Sequence, residues 1–479
     1  MEGCKRILRM KTKSTCSTTS LLSSGLVALA LWLPAIAFGQ GRLTPPGPTF
    51  SYPSERALNT SLQPIPSMKT LMHIDAGQHI PSRDASNANL NGSLGYYNLT
   101  APGRYYLTEN LDKNIVISSD NVTLDLGGFE VRYVGTITGP VAISATGAVI
   151  TYHRTKVING RVRGNWSQGV VLADDSVVVG VDVSEVSGYG IKVGRNGQIA
   201  GSRVRGPWSQ SSPGAPGTHS GIYGSDATVI SQCSASGIGG IGIQVNQSGR
   251  VVDCTVLSVA GCGIVTNHHS SVGGCAVRMC GSTGFDLGMG SALHNSAASE
   301  CGDSCVHVRN GCTLANVTAR DSQDHGFVSE AWTVMDPQYN KNATTFVNCV
   351  AQGNDGDGFH VSHSCLFTDC TADDNGAMGV IAQGKGFHVS DHCRLTNCVA
   401  SNNQLSGFFG NNGNTIDQCS ASGNSRYGIE VASDQNNVIR NTLRGNTLAP
   451  IQPAPGTNGI AALQTPNTVG VTSFANLGL

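Results

Sequence analysis

A glycine recurs every 21 residues over most of the chain, with a bulky apolar residue one or three places after it. Most steps between neighbouring members of the series are 21 residues, and single insertions account for the exceptions. A fixed period of this length indicates stacked copies of one supersecondary unit, in which residues of equal phase form columns. The members are Gly169, Gly190, Gly221, Gly242, Gly263, Gly284, Cys305, Gly326, Gly358, Gly386, Gly407, Gly428 and Gly459.

The unit itself is built from short strands. Ile243 and Val245 alternate with a polar residue, as a strand with one buried face does. A second apolar run follows in each repeat, and Gly, Asn, Asp and Ser separate the runs. Neither a leucine-rich repeat pattern nor a hexapeptide period is present. We therefore predict an all-β, single-stranded right-handed parallel β-helix with about 21 residues and three strands per coil, and thirteen or more coils.

Two further columns run through the predicted stack. We expect the cysteine column to be buried packing, because cysteine behaves as a small hydrophobe, although neighbours such as Cys365 and Cys393 are close enough for disulfides. We expect the asparagine column to be a structural ladder, since Asn tolerates left-handed turns. The cysteine column, with two substitutions, is Cys233, Cys254, Cys275, Ser296, Val317, Cys349, Cys370, Cys398 and Cys419, and the other column is Asn354, Asn375, Asn403, Asn424 and Asn446.

The first residues have the pattern of a secretory signal peptide. Basic residues lie between Lys5 and Lys13, and an apolar stretch runs from Leu21 to Phe38. We expect residues 1–39 to be removed, leaving a secreted, periplasmic or cell-surface protein with no stable membrane span. An uncleaved anchor is the alternative, because about 18 apolar residues can just cross a bilayer.

The remaining chain divides by composition and period. Residues 40–68 contain six prolines and are predicted to be an extended linker. Residues 69–168 are interpreted as an N-terminal cap with irregular first coils, residues 169–459 as the regular coils, and residues 460–479 as a C-terminal cap. The net charge of −1 argues against a nucleic-acid partner, which requires a basic surface.

The cap and its flanks carry a family resemblance. The segments Leu43-Thr-Pro-Pro-Gly-Pro, Gly103-Arg-Tyr-Tyr-Leu-Thr-Glu-Asn-Leu and Asp120-Asn-Val-Thr-Leu-Asp-Leu-Gly-Gly-Phe resemble those of secreted bacterial right-handed parallel β-helix repeat proteins. These belong to the pectate-lyase-like superfamily. The resemblance implies the fold and secretion, and it implies a polysaccharide or cell-surface glycan as partner. It assigns no activity.

Residues with potential chemistry fall in columns beside the repeated strand. The three acidic or histidine-bearing coils around residues 303–360 place carboxylates and imidazoles on neighbouring coils about 5 Å apart, as acid–base catalysis requires. Ser304, His325 and Asp357 share one column. The predicted catalytic residues are Asp303, Asp324, His325, Asp355, Asp357, His360 and His388. The predicted substrate-binding residues are His307, Trp332, Tyr339 and Phe409.

Two functional hypotheses follow. The first is a polysaccharide lyase or glycoside hydrolase that uses this Asp/His patch, with Ca²⁺ bound by Asp303, Asp324, Asp355 and Asp357 as one option for a cofactor. The second is a non-catalytic structural or glycan-recognition solenoid. The preference of Asp for turns also explains why acidic residues occur in this part of the repeat. The basic residues near the strand are expected not to cluster with the acids, which disfavours a lyase: Lys192, Arg278, Arg309, Arg320 and Lys385.

Overall fold

The computed structural model of the protein describes residues 78–80, 90–91, 96–135, 139–145, 151–206, 219–329, 343–376, 384–453, 456, 458–461, 463–464 and 475–478. All of them belong to one compact unit that spans residues 69–479. No helix among them has the length and apolar character needed to cross a membrane. The predicted signal peptide and linker, and the predicted binding residues Trp332 and Tyr339, lie outside the described residues.

The strands stack in parallel ribbons that wind around one core, which confirms the predicted right-handed parallel β-helix. Each regular coil contributes three strands, as Ile241–Val245, Arg250–Val252 and Thr255–Val259 do. Each strand pairs with the strand about 21 residues later, so Ile243 lies beside Ile264. One described pairing, Leu90–Asn91 with Tyr96–Leu99, is antiparallel.

The ribbon that carries the repeated glycine is called the site ribbon. Its strands are Leu90–Asn91, Tyr96–Leu99, Ile115–Ile117, Gly139–Ser144, Trp166–Val171, Ile191–Val193, Ser220–Gly224, Ile241–Val245, Ile264–Thr266, Phe285–Leu287, Val306–Val308, Phe327–Ser329, Phe359–Val361, Phe387–Val389, Phe408–Gly410, Tyr427–Val431 and Ala449–Gln452.

The other two ribbons meet at a sharp corner. The second consists of Gln78–Ile80, Gly103–Leu107, Val122–Asp125, Gln198–Ala200, Val229–Ser231, Arg250–Val252, Ser271–Gly273, Thr345–Val347, Leu366–Thr368, Arg394–Thr396, Thr415–Asp417, Asn437–Ile439 and Gly459–Ile460. The third consists of Glu130–Tyr133, Arg203–Arg205, Ser234–Ser236, Thr255–Val259, Ala276–Cys280, Val350–Gln352, Thr371–Asp373, Val399–Ser401, Ser420–Ser422, Thr442–Arg444 and Asn476–Gly478, the last paired with Leu463–Gln464. Four strands continue through the corner: Lys156–Gly164, Val177–Ser184, Ala292–Ser299 and Thr313–Arg320.

The corner and the glycine column explain two sequence patterns. A residue with left-handed backbone forms the corner in successive coils, as Gln232 (φ 53) and Asp253 (φ 52) do. The cysteine column follows directly after it and is buried.

In the glycine column the backbones of neighbouring coils pack closely. A Cβ atom at Gly358 would lie 2.7 Å from the carbonyl oxygen of Gly386, which excludes a side chain there.

Columns of equal residues fill the core. The rings of Phe327, Phe359, Phe387 and Phe408 stack with centroids 4.6, 4.7 and 5.0 Å apart. The described cysteines from Cys233 to Cys419 are free thiols, and all but the half-buried Cys262 are buried. The packing role expected for the cysteine column is therefore confirmed.

The asparagine column is a hydrogen-bonded ladder, as predicted, but for a different reason. Each buried amide donates from Nδ2 to Oδ1 of the next member, at 2.9 Å between Asn375 and Asn403 and 3.0 Å between Asn403 and Asn424. None of the five ladder residues has a positive φ. The left-handed conformation occurs instead at neighbouring residues such as Asn402 (φ 55). The amide ladder therefore supplies hydrogen bonds to the buried turn of each coil.

The assignment of Gly459 to the glycine column is wrong. Ile429 pairs with Ile451, so the coil after Gly428 continues directly into the strand Ala449–Gln452. Gly459 lies in the second ribbon, opposite Asn437. The chain between Gly428 and Gly459 therefore contains no long insertion before the last strand of the site ribbon. Gly459 belongs to the next face of the coil.

Candidate functional site

The site ribbon places the predicted histidines on one face, in the predicted register. Its outward column passes from coil to coil through Asp286, His307, Val328, His360, His388, Phe409 and Glu430. The column just before the glycine lies beside it. Backbone hydrogen bonds to the carbonyls of His325 and Asp357 place these two residues at equivalent positions of neighbouring coils.

Asp357 is the centre of the candidate site. Its side chain is 1% exposed, and its Oδ2 atom lies 3.1 Å from His360 Nδ1 and 2.9 Å from His388 Nδ1. Its Oδ1 atom accepts hydrogen bonds from the backbone nitrogens of Gly384 at 2.9 Å and Lys385 at 2.8 Å. Both oxygens of one buried carboxylate are therefore fully used in holding two imidazoles and a turn.

This environment keeps Asp357 ionised. Burial alone would raise the pKa of the carboxyl, but the hydrogen bonds from His360 and His388 and the charge of Lys385 hold the pKa well below its usual range. Burial also lowers the pKa of His388, against the opposing effect of Asp357. A neutral His388 near pH 7 thus carries its proton on Nδ1, where Asp357 accepts it, and leaves Nε2 as a base.

His325 joins the cluster by accepting a hydrogen bond from the backbone of Asp357. The backbone nitrogen of Asp357 donates to His325 Nδ1 at 2.8 Å, and His325 Nε2 lies 3.5 Å from Asp324 Oδ1. Burial, and after it the charge of His360, lower the pKa of His325. The imidazole rings of His325 and His360 lie 4.5 Å apart between centroids, and those of His360 and His388 lie 4.4 Å apart. Three histidines from three coils thus surround one carboxylate.

Lys385 also belongs to the cluster, which contradicts the expectation that the basic residues stand apart from the acids. It occupies the same column as His325 and Asp357, one coil later, and its Nζ atom lies 4.9 Å from the ring centroid of Phe409. The ring of Phe409 in turn meets His388 edge-on at 4.9 Å. Sequence reasoning missed Lys385, although its position immediately before Gly386 gave its column.

A second, smaller cluster lies on the same ribbon. His307 Nδ1 lies 3.2 Å and Arg309 Nη1 lies 2.9 Å from Asp286 Oδ1. Val328, which is buried, separates this cluster from His360. Burial raises the pKa of Asp286, but His307 and Arg309 outweigh it and lower that pKa. The predicted binding residue His307 is therefore in hydrogen-bond contact with Asp286, and Arg309 is a second basic residue beside an acid.

The remaining predicted acids have different positions. Asp303 is exposed and accepts a hydrogen bond from the backbone of Ser304 at 2.9 Å. Asp355 donates its backbone nitrogen to the carbonyl of Ser322, and burial raises the pKa of its carboxyl. The structure gives neither carboxylate a contact with the histidine cluster. Asp324, half-exposed, lies at its edge.

The four aspartates offered as Ca²⁺ ligands, Asp303, Asp324, Asp355 and Asp357, do not come together as one group of ligands. In the part of the chain that the structure describes, one group of His, Cys, Asp and Glu side chains has its ligand atoms within 4.8 Å of one another: His325, Asp357 and His360. The oxygens of Asp357 already accept four hydrogen bonds. A cation bound by this carboxylate would displace imidazole N–H groups, so the donor set favours an imidazole cluster over a hard-cation site.

The comparisons with known proteins bear on the fold. A family model described as right handed beta helix region matches residues 146–297 and 246–391. No curated protein matches the sequence. Among solved structures, the chain is similar to the Dettilon tailspike protein, at 14% identity over 62% of each chain with a TM-score of 0.39. It thus spans less than two thirds of that tailspike chain.

Two further solved structures are similar at low identity. One is the A-module of the mannuronan C-5 epimerase AlgE4 of Azotobacter vinelandii, at 13% identity over 74% of this chain and 90% of that one, with a TM-score of 0.36. The other is the catalytic domain of a GH87 α-1,3-glucanase, at 11% identity over 79% of this chain and 69% of that one, with a TM-score of 0.33.

Proposed function

The chain belongs to the family of right-handed β-helix regions, and from this premise we propose that the Asp357 cluster is a catalytic site acting on a uronic acid polysaccharide. The observation that carries the proposal is the buried Asp357 carboxylate between His360 Nδ1 and His388 Nδ1. A buried carboxylate that fixes an imidazole tautomer is the arrangement that general-base catalysis requires. A location outside the cytoplasm, as expected from the N-terminal pattern, is part of the proposal.

His360 is the proposed base. Its side chain is 37% exposed, against 21% for His388, so its ring is the one that a bound polymer reaches more readily. With Nδ1 held by Asp357, its Nε2 atom carries the free lone pair. The carboxylate also stabilises the imidazolium that forms when the base takes a proton.

The substrate class follows from the charges around the base. Lys385 supplies a cation on the same face as His360. A carboxylate on the sugar would bind near this cation, and the acidity of the carbon next to that carboxylate would rise. A linear polymer fits a ribbon of parallel strands whose outward residues form one continuous column.

The proposed reaction is β-elimination. His360 Nε2 takes the proton from the carbon next to the sugar carboxylate, and Lys385 stabilises the negative charge that develops there. The C–H electrons form a carbon–carbon double bond as the adjacent glycosidic carbon–oxygen bond breaks. The His360 imidazolium then returns its proton to the departing oxygen. Atoms and charge balance, and the enzyme is regenerated.

Hydrolysis by a carboxylate pair is less well supported by the geometry. That mechanism requires an acid and a nucleophile or base that both reach the glycosidic bond. Asp357 is buried with both oxygens engaged, and Asp303 accepts the backbone N–H of Ser304. The central carboxylate of the cluster, Asp357, is therefore a positioning group and not the general acid.

A product assay tests the proposal. The protein is incubated with a panel of uronic acid polymers and with neutral glucans, and unsaturated ends are followed by ultraviolet absorbance while reducing ends are counted separately. Unsaturated product from a uronic acid polymer, lost in His360→Ala and kept in His363→Ala, supports it. His363 is the matched control, because it pairs with Asp391 at 3.2 Å outside the cluster. Reducing ends without unsaturated product, or binding without turnover, would overturn it.

A further inference from the structure

A second group of side chains on the site ribbon has the composition of a sugar-binding surface. It consists of Tyr189, Lys192, His219 and Tyr223 and is called the tyrosine platform. Lys192 pairs with Tyr223 in the outward column, the column that continues to His360 and His388. Tyr189 occupies the column of His325, Asp357 and Lys385. The platform and the Asp357 cluster therefore occupy the same two columns of one ribbon.

The platform is held together by its rings and one ammonium group. The Tyr189 and Tyr223 ring centroids are 5.4 Å apart, and the His219 ring meets Tyr189 edge-on at 5.6 Å. Lys192 Nζ lies 5.0 Å from the Tyr189 centroid and 5.4 Å from the Tyr223 centroid. Both rings thus face the same cation, which orders three side chains at the surface.

An open cleft adjoins these side chains. Its volume is about 460 Å³, and its lining includes Lys192 and Tyr223 together with His153, Leu172 and Asp174. Tyr189, Lys192 and Tyr223 are half-buried, and His219 is exposed. Burial raises the pKa of Tyr223, so its phenol is neutral and can donate a hydrogen bond. The cleft therefore offers the ring and phenol of Tyr223 and the ammonium group of Lys192 in one place.

The distance between the platform and the cluster sets the length of the ligand. Six coils separate Tyr223 from His360 along the outward column, which is roughly 29 Å at about 4.8 Å per coil. The acid in this part of the column, Asp286, forms an ion pair with Arg309 and a hydrogen-bond contact with His307. The outward column between the two groups therefore presents no unpaired carboxylate that would repel an anionic chain.

We propose that the tyrosine platform is a second binding site for the same uronic acid polymer, gripping it about six coils N-terminal to the Asp357 cluster. The tyrosine rings stack on the apolar faces of the sugars, and Lys192 pairs with a sugar carboxylate. This inference rests on the proposed function for the identity of the ligand class. It adds that the ligand is a long chain, because a trisaccharide does not reach both sites.

Affinity electrophoresis of the full-length protein tests the inference. The gels contain alginate, polygalacturonate or hyaluronan, with dextran as the neutral reference, and a uronic acid trisaccharide serves as soluble competitor. Tyr223→Ala and Lys192→Ala are expected to weaken polymer binding about tenfold and to shrink the advantage of polymer over trisaccharide. The matched control is Tyr106→Ala, since Tyr106 is an exposed tyrosine on the second ribbon.

The outcomes separate this inference from the proposed function. Binding that weakens in both platform variants and not in Tyr106→Ala supports the platform. Binding equal to wild type in the platform variants, or no binding of any uronic acid polymer by the wild type, overturns it. If the platform variants lose polymer binding while the wild type turns over none of these polymers, the platform stands and the proposed catalysis fails.

Discussion

The Asp357 carboxylate lies 2.9 Å from His388 Nδ1 across one coil of the β-helix, and it holds His360 on its own coil through the same oxygen. One buried anion thus orients two imidazoles from neighbouring coils. Because the strands are in register, the relative positions of the two imidazoles depend on the stacking of the coils. The predictions below follow from this arrangement and from the columns that support it.

Asp357→Asn is expected to abolish most turnover with little change in the fold of the other coils. The amide can no longer accept from both imidazoles and the turn together, so His360 loses its fixed tautomer. The expected fall in kcat is roughly 10⁴-fold, as for an orienting carboxylate of a catalytic histidine. Initial rates of unsaturated product measure it. A kcat within a few-fold of wild type would contradict the role given to Asp357.

Stability is expected to fall as the pH drops below about 6.5, the ordinary pKa of histidine. Burial lowers the pKa values of His325 and His388 in the folded protein, so the unfolded chain binds more protons in this range. Stability then rises with pH from the lowered folded values to the unfolded value. Asp357 acts in the same direction at lower pH. Urea unfolding at several pH values measures this, and His388→Gln should flatten the curve. Greater stability at pH 5 than at pH 7 would contradict it.

Asn403→Ala is expected to destabilise the protein by about 2–5 kcal/mol, because the buried partners on both neighbouring coils lose their hydrogen bonds. Asn403 donates to Ala372 and Asn424 and accepts from Asn375. Asn267→Ala is the control, since Asn267 is exposed, and about 0.5 kcal/mol or less is expected. Chemical denaturation measures both. Equal effects would show that the ladder is not a stabilising feature.

The cysteines of the described coils are expected to be unreactive thiols in the native protein. Thirteen of the fourteen are buried, and Cys262 is half-buried. Alkylation followed by peptide mapping should label Cys262 first and the others only after denaturation, without reductant. A disulfide between Cys365 and Cys393 in the native protein would contradict this.

The register of the site ribbon was predictable because a constant period assigns each residue to a column. The neighbourhood of His360 and His388, and the shared column of His325 and Asp357, follow from counting from the repeated glycine of each coil across the insertions. The end of the stack was not predictable in this way. Gly459 follows Gly428 by 31 residues and fits the column only if an insertion is assumed, but the coil after Gly428 had already formed its strand, with Ile451 beside Ile429.

Which column of the turn before the strand is buried was not predictable from the period alone. Asp303 and Asp357 lie in neighbouring columns of that turn, and the column of Asp357, which includes Ser304, His325 and Lys385, is the buried one. The period also does not describe the donors that hold the Asp357 carboxylate, namely the backbone nitrogens of Gly384 and Lys385. These two follow an insertion in the chain. Sequence reasoning therefore identified the acids but not which one the cluster is built around.

The most direct test of the central claim is proton abstraction itself. The protein is incubated with uronic acid polymers in D₂O, and the polymer is examined by NMR for unsaturated ends or for deuterium at the carbon next to the carboxylate. The account predicts unsaturated ends with wild type and their loss in His360→Ala and Asp357→Asn. Deuterium at that carbon without unsaturated ends, or reducing ends with neither signal, would contradict the proposed elimination.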